Sequence, residues 1–202
     1  MLNKDQAIFG AIFMPTSVIN LVAGFVIRPY ITKLSLVWEN REFANFAKVV
    51  GRLAAIPNIV CVKDEAGVNP TQVTDFFLAT EKVDPNFVVY NGDDIMLLPT
   101  IVQGAMGIVS GGAHIFGHEI RAIMDAFAAG DNARARELFI PLYRFCKSCG
   151  QNGRILPNSI MRPAIELVTG IPVGPARSPL APITEAEKAV LTDVLRQAGK
   201  LS

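Results

Sequence analysis

Apolar runs and polar breaks alternate regularly along the chain from Pro57 to Gly130. Short apolar runs bounded by turn residues predict strands, and runs with apolar positions three or four apart predict helices. The predicted strands are 58–63, 87–94 and 106–115, and the predicted helices are 72–81, 95–104 and 118–130. We expect the middle helix to be interrupted near Pro99 and to end at Gly104. Strands that alternate with helices in this order indicate βαβ units and a parallel sheet.

After Gly130 the pattern is helical only. The predicted helices are 131–148, 159–170 and 184–199, and they are joined in part by an extended link, 171–182, that holds four prolines. Thr184 stands three residues before Glu187, the spacing of a capping box. A further helix is expected at 38–56. The chain therefore divides into a β/α region, 1–130, in which residues 1–48 are atypical, and a C-terminal helical extension, 131–202.

One segment near the start raises the question of a membrane. Residues 7–27 contain no charge over 21 positions, and about 20 apolar residues suffice to span a bilayer. Pro15, Thr16, Ser17 and Asn20 interrupt the segment, which favours two buried stretches separated by a turn over a membrane anchor. The anchor stays an alternative.

Composition narrows the partners and the compartment. The formal net charge is +1 and no basic block occurs, which argues against nucleic acid or an anionic membrane surface as a partner. Three cysteines are an odd number, so a secreted disulfide framework is not indicated and a cytoplasmic location is expected. Cys146 and Cys149 form a lone CxxC, interpreted as two ordinary helix thiols. No metal and no cofactor are expected.

Lys63 is the first candidate for chemistry, because it ends an otherwise apolar strand. Active sites of parallel α/β proteins lie at the carboxyl ends of the strands. An apolar, partly desolvated setting would favour the neutral amine, which can attack a ketone and form a Schiff base. The alternative is a lysine that begins the loop, with its ammonium in water or paired with Asp64 or Glu65.

The turn after the second predicted strand reads Asn-Gly-Asp-Asp, residues 91–94. Gly92 would let backbone groups approach a small ligand, and Asp93 would orient the loop. The alternative is an ordinary turn in which Asp94 caps the next helix.

Several motifs occur in the order found in one enzyme family. The segment IPNIVCVKDEAG (56–67) resembles the Schiff-base lysine segment of the dihydrodipicolinate synthase / N-acetylneuraminate lyase family of pyruvate-dependent aldolases. The resemblance continues through FVVYNGDD, GAMGIVSGGAHI, GDNARARELFIPL and GPARSPLAPITEAEK, and it covers roughly residues 49–201.

The resemblance implies an α/β fold of the (β/α)₈ TIM-barrel type, incomplete on its N-terminal side, with the helical extension at its C-terminus. It implies that Lys63 condenses with pyruvate and that the resulting enamine attacks an aldehyde co-substrate. The lysine-biosynthesis branch, whose acceptor is aspartate semialdehyde, is the most similar. Gly92 would lie beside the pyruvate, and Val109 would line its pocket through a backbone carbonyl. A homo-oligomer is expected.

The region before Lys63 departs from the family pattern. The Gly-Thr-Thr-Gly-Glu type of motif that holds the pyruvate carboxylate has no counterpart, and Val26 stands where the family has a proton-relaying tyrosine. Tyr30 is the candidate relay instead, and Arg28 the candidate carboxylate partner. Four or five strands do not close a barrel and would leave edges and an apolar face exposed. The alternative function is therefore a catalytically impaired relative that acts as a binding or assembly module.

Overall fold

The computed structural model describes residues 43–65, 69–150 and 157–202 of the chain. These residues fall into two compact units, and the smaller one holds residues 43–59 and 78–86. Its helix α1, Phe43–Ala54, confirms part of the helix predicted at 38–56. Gly51 lies against a backbone carbonyl of the same unit, because a Cβ at Gly51 would come within 2.5 Å of the Ala79 oxygen.

The larger unit contains a parallel sheet with the strand order β1-β2-β3, as the alternating pattern predicted. The strands are shorter than expected: β1 is Cys61–Asp64, β2 is Val88–Asn91 and β3 is Gly107–Ile108. Helix α2, Gln72–Thr80, follows β1. A 3₁₀ turn, Asp94–Met96, and helix α3, Leu97–Val102, follow β2.

Pro99 does not interrupt α3, contrary to the prediction. The helix begins at Leu97, so Pro99 lies in the first turn, where backbone N–H groups have no partner within the helix and the proline ring is tolerated. Gly104 ends this stretch with a φ of 99°, a conformation that favours glycine.

Four helices complete the described part of the larger unit. They are α4, Ala113–Ala128; α5, Asn132–Cys149; α6, Asn158–Thr169; and α7, Glu185–Gln197. The predicted stop at Gly130 is confirmed by its φ of 78°. The capping box is also confirmed, since Thr184 and Glu187 exchange side-chain to backbone hydrogen bonds. Helix α4 starts earlier than predicted, because strand β3 ends after two residues.

The core of the larger unit lies among these helices. Leu142, Phe145, Ile160, Leu191 and Leu195 have no exposed surface, and the Phe145 ring packs on Phe116 with centroids 5.1 Å apart. This packing fixes the C-terminal end of α5, which contributes to the candidate site.

No helix within the described ranges is long and apolar enough to cross a membrane. The apolar segment 7–27 lies outside those ranges, as do Arg28 and Tyr30. The interpretations of these residues stay predictions.

Candidate active site

Three of the predicted site residues come together at the carboxyl ends of the strands. Lys63 on β1 pairs in register with Tyr90 on β2. Beyond the strands the pairing continues, because Gly92 donates its N–H to the Asp64 carbonyl at 2.7 Å and Val109 donates its N–H to the Asn91 carbonyl at 2.8 Å. Lys63, Gly92 and Val109 therefore lie on neighbouring segments of the chain.

Gly92 lies directly against the lysine. A Cβ at Gly92 would stand 2.6 Å from Lys63 Cε and 2.9 Å from the Asp64 carbonyl oxygen. Real Cβ atoms do not approach other atoms this closely, so only glycine leaves room for the present path of the Lys63 side chain. The predicted approach of a small ligand to Gly92 stays a prediction.

The predicted apolar setting of Lys63 is not found. Its side chain is 42% exposed, and its ammonium forms an ion pair with Glu65, the second residue after it. The physical reason is local: Lys63 lies on β1 and Glu65 comes directly after this strand, and side chains two residues apart on extended backbone lie on the same face. The geometry is that of the alternative for Lys63, a loop-proximal lysine paired with a neighbouring acid.

The turn after β2 is fixed by its own side chains. Asn91 Nδ2 donates to the Asp93 carbonyl at 2.6 Å, and the Asp93 N–H donates to Asn91 Oδ1 at 3.1 Å. Asp93 Oδ1 then accepts the N–H of Ile95 at 3.1 Å and caps the 3₁₀ turn. The cap is therefore Asp93 and not Asp94, and the role of Asp93 in substrate binding stays a prediction.

A cavity of about 490 Å³ opens beside these turns. That volume is within the usual range for small-molecule sites. Its lining includes Glu65, Gly92, Asp93, Asp94, Cys146 and Cys149. Lys63 is not part of the lining, but it lies against Glu65 and Gly92, which are. Val109 is not part of it either, and its side chain is 49% exposed.

The two cysteines at the end of α5 were not predicted to belong to the site. Burial raises the pKa of the Cys149 thiol to about 12, and burial also raises the pKa of Cys146. The Asp94 carboxylate adds to both effects by charge repulsion. The thiols are therefore protonated and poorly nucleophilic at neutral pH. Their spacing of three residues places them on one helix face, but only the fold decides that this face meets the cavity.

The described part of the chain contains no group of three or more His, Cys, Asp or Glu side chains placed to hold an ion.

The parallel sheet, with a lysine at a strand end beside a cavity, places the chain among α/β proteins with strand-end sites. A model of the Dihydrodipicolinate synthetase family matches residues 46–198. The chain belongs to that family.

Relatives support the assignment. The 4-hydroxy-tetrahydrodipicolinate synthase of Symbiobacterium thermophilum is 38% identical over 149 residues, which are 72% of this chain and 47% of the relative. The enzyme of the same name from Synechococcus elongatus is 33% identical over 152 residues, which are 75% of this chain and 48% of the relative. The chain thus spans about half the length of the curated relatives it matches.

Solved structures agree in fold. A dihydrodipicolinate synthase from Bacillus anthracis matches with a TM-score of 0.66 at 36% identity, over 74% of this chain and 49% of that one. The enzyme from Cyanidioschyzon merolae, solved with lysine bound, matches with a TM-score of 0.68 at 31% identity, over 77% of this chain and 50% of that one.

Proposed function

We propose that this chain carries the Schiff-base centre of a pyruvate-dependent lyase of the 4-hydroxy-tetrahydrodipicolinate synthase type. Membership in the family carries the proposal, because it coincides with a lysine at the carboxyl end of a parallel strand. Lys63 packs on Gly92, beside a cavity of about 490 Å³ that would accept two small substrates.

The chemistry begins at the amine of Lys63. The neutral amine attacks the keto carbon of pyruvate, and water leaves as the imine forms. Loss of a proton from the pyruvate methyl group gives an enamine, whose terminal carbon forms a bond to the carbonyl carbon of the aldehyde. Water then hydrolyses the imine and frees the lysine. Aspartate semialdehyde is the proposed acceptor.

Lys63 must leave Glu65 before it can react. The nitrogen must be released from its carboxylate partner to reach the keto carbon of pyruvate. The pair is exposed on both sides, with side chains 42% and 59% accessible, and exposed pairs are worth only about 0–1 kcal/mol. Entry of the pyruvate carboxylate into the cavity would compete with Glu65 for the same cation.

The remaining roles are proposals of the same kind. Gly92, Asp93 and Val109 would bind pyruvate, Tyr30 would relay protons and Arg28 would pair with a carboxylate. No metal or cofactor is needed for the steps above.

We propose further that β1 to β3 are consecutive strands of a (β/α)₈ barrel. In this proposal 1–130 is the barrel region, with 1–48 atypical, and 131–202 is the helical extension. Val60 is 58% exposed and Met106 62% exposed, as expected for strand ends that a closed barrel would cover.

A homo-oligomer in the cytoplasm would provide such cover. Sedimentation at several concentrations tests this association. A neighbour of the same fold is described as a monomeric dihydrodipicolinate synthase variant, so association is not a fixed property of the fold.

Reductive trapping tests the function directly. The protein is incubated with pyruvate and reduced with borohydride, and peptides are mapped by mass spectrometry. We expect one adduct on Lys63 and none in Lys63→Ala or Lys63→Arg. Lys147→Ala is the matched control, because Lys147 also borders the cavity and should leave the adduct unchanged.

An adduct spread evenly over exposed lysines would contradict a specific centre. No adduct on a folded sample would favour the alternative, a binding or assembly module. Isothermal titration with pyruvate then separates binding without condensation from no binding.

A further inference from the structure

The side chain of Asp94 is half-buried, and the proposed chemistry does not use its carboxylate. It opens the 3₁₀ turn after β2, yet its bonds go to a different turn. One carboxylate oxygen accepts the hydroxyl of Ser110, and the other accepts the N–H of Gly112 at 2.7 Å. Both partners belong to the turn between β3 and α4.

Ser110 extends the connection into the next helix. Its Oγ accepts the N–H of Ala113 at 2.8 Å, at the first residue of α4. The hydroxyl oxygen accepts this N–H through a lone pair, and the hydroxyl donates its own hydrogen to Asp94. The bonds thus run in one direction, from Ala113 through Ser110 to the carboxylate.

Gly112 makes the close approach possible. A Cβ at this position would lie 2.9 Å from Asp94 Oδ2 and 3.3 Å from Leu142 Cδ1 of α5. A side chain here would push the carboxylate away from the backbone N–H. The glycine and the acid therefore form a matched pair.

The surroundings of Asp94 disfavour the charged form of its carboxyl group. Burial raises its pKa above the ordinary value of 3.8, and the carboxylates of Asp93 and Glu65 raise it further, while the bonds from Ser110 and Gly112 lower it. The thiols Cys146 and Cys149 of α5 face the same group. A charge kept in such surroundings needs both of its hydrogen bonds.

The two joined turns are those that carry the candidate site. Gly92, against which Lys63 packs, lies two residues before Asp94. Val109 lies one residue before Ser110 and is bonded on its other side to Asn91. We infer that Asp94 is a positioning residue: its carboxylate ties the turn after β2 to the turn after β3 and so fixes Gly92 and Val109 relative to Lys63.

The connection between the two turns, called the tie below, consists of the hydrogen bonds from Ser110 and Gly112 to Asp94. Its effect on pyruvate binding rests on the proposed function. Asp94→Asn keeps the size but replaces one of the two acceptors by a donor, and Ser110→Ala removes the bonding hydroxyl. Ser110→Thr keeps the hydroxyl and should rescue. Asp131→Asn is the matched control, because Asp131 Oδ1 accepts one N–H, from Arg134 at 2.9 Å, and asparagine caps helices equally well.

Amide hydrogen exchange without substrate is the first arm of the test. We expect faster exchange, by about tenfold, at Gly92 and at residues 109–113 in Asp94→Asn and Ser110→Ala. Ser110→Thr and Asp131→Asn should match the parent protein there. Unchanged exchange in both tie variants would overturn the inference.

Trapping of pyruvate on Lys63 is the second arm. In Asp94→Asn we expect the half-saturating pyruvate concentration to rise about tenfold. In the parent protein it should also rise as pH falls through the titration of Asp94, because the protonated acid offers only one free acceptor, and the asparagine variant should lack this part of the pH profile. Equal half-saturation in both proteins at every pH would overturn the inference.

The two arms separate two failures. If the parent protein traps no pyruvate, the proposed function fails, and the exchange arm alone decides whether Asp94 holds the turns. If the parent traps pyruvate but exchange and half-saturation are unchanged in Asp94→Asn, the inference fails and the proposed function stands.

Discussion

The strand ends and the C-terminal helices of the larger unit differ in how far their apolar side chains are buried. Among the helices, Phe145, Leu191 and Leu195 are fully buried by other parts of the chain. At the strands, Val60, Met106 and Val109 are 58%, 62% and 49% exposed, and Lys63 is 42% exposed. The described helices pack a closed core, while apolar side chains next to the strand ends are exposed, although Val89 within β2 is fully buried. The candidate site therefore lies in a more exposed region than the helical core.

The largest expected effect is on stability and falls in the helices. Phe145→Ala removes a fully buried ring that packs on Phe116, and such truncations cost about 3–5 kcal/mol. Met106→Ala at the exposed strand end should change the free energy of unfolding by no more than about 0.5 kcal/mol. Urea denaturation measures both. Similar losses for the two variants would break the comparison.

The cysteines allow a chemical form of the same comparison. Cys61 on β1 is exposed, whereas Cys149 is buried at the end of α5. The pKa of Cys149 is raised from 9.0 to about 12, which leaves it far less thiolate at pH 8, and thiolate is the reacting form. We expect iodoacetamide to alkylate Cys61 at least about a hundredfold faster, as mass spectrometry would follow. In denaturant the two cysteines should react at similar rates. A rate difference that persisted in denaturant would mean that local sequence, and not burial, causes it.

The same comparison can be made by adding one methyl group at a glycine in each region. Gly92→Ala places a Cβ against Lys63 and the Asp64 carbonyl, so we expect a stability loss of about 1–3 kcal/mol. Pyruvate trapping on Lys63 should also fall by about tenfold or more. Gly117→Ala in α4 meets nothing within 4 Å and should stabilise by up to about 1 kcal/mol. A Gly92→Ala protein with normal stability and trapping would show that Lys63 moves aside freely.

The smallest effect concerns the ion pair at the strand end. Glu65→Gln removes the partner of Lys63, so the amine no longer has to leave an ion pair before it attacks pyruvate. Since exposed pairs contribute about 0–1 kcal/mol, the initial trapping rate at neutral pH should rise by at most about fivefold. Glu137→Gln removes an exposed pair with Arg134 on α5 and should leave the rate unchanged. A lower rate in Glu65→Gln would mean that Glu65 assists the reaction.

Much of the fold could be predicted because it depends on local rules. The alternation of strands and helices, the stops at Gly104 and Gly130, and the capping box at Thr184 depend on residues within a few positions of each other. Boundaries were less accurate, and β3 kept only two residues of the ten predicted. Strand length depends on which neighbours supply hydrogen bonds, and no short segment of sequence contains that information.

The candidate site divides in the same manner. The sequence by itself determined that a lysine lies near the carboxyl end of a parallel strand, one residue before its end, and that a glycine turn follows the next strand, because strand ends and turns are local features. The ion pair of Lys63 with Glu65 was among the alternatives that the sequence offered, because the two residues are two positions apart. Only the tertiary structure decided that Asp94 bonds across 18 residues to Gly112 and that Cys146 and Cys149 meet the cavity. These are contacts between groups whose distance is set by packing, so charge, burial and hydrogen bonding at the site follow from the fold as a whole.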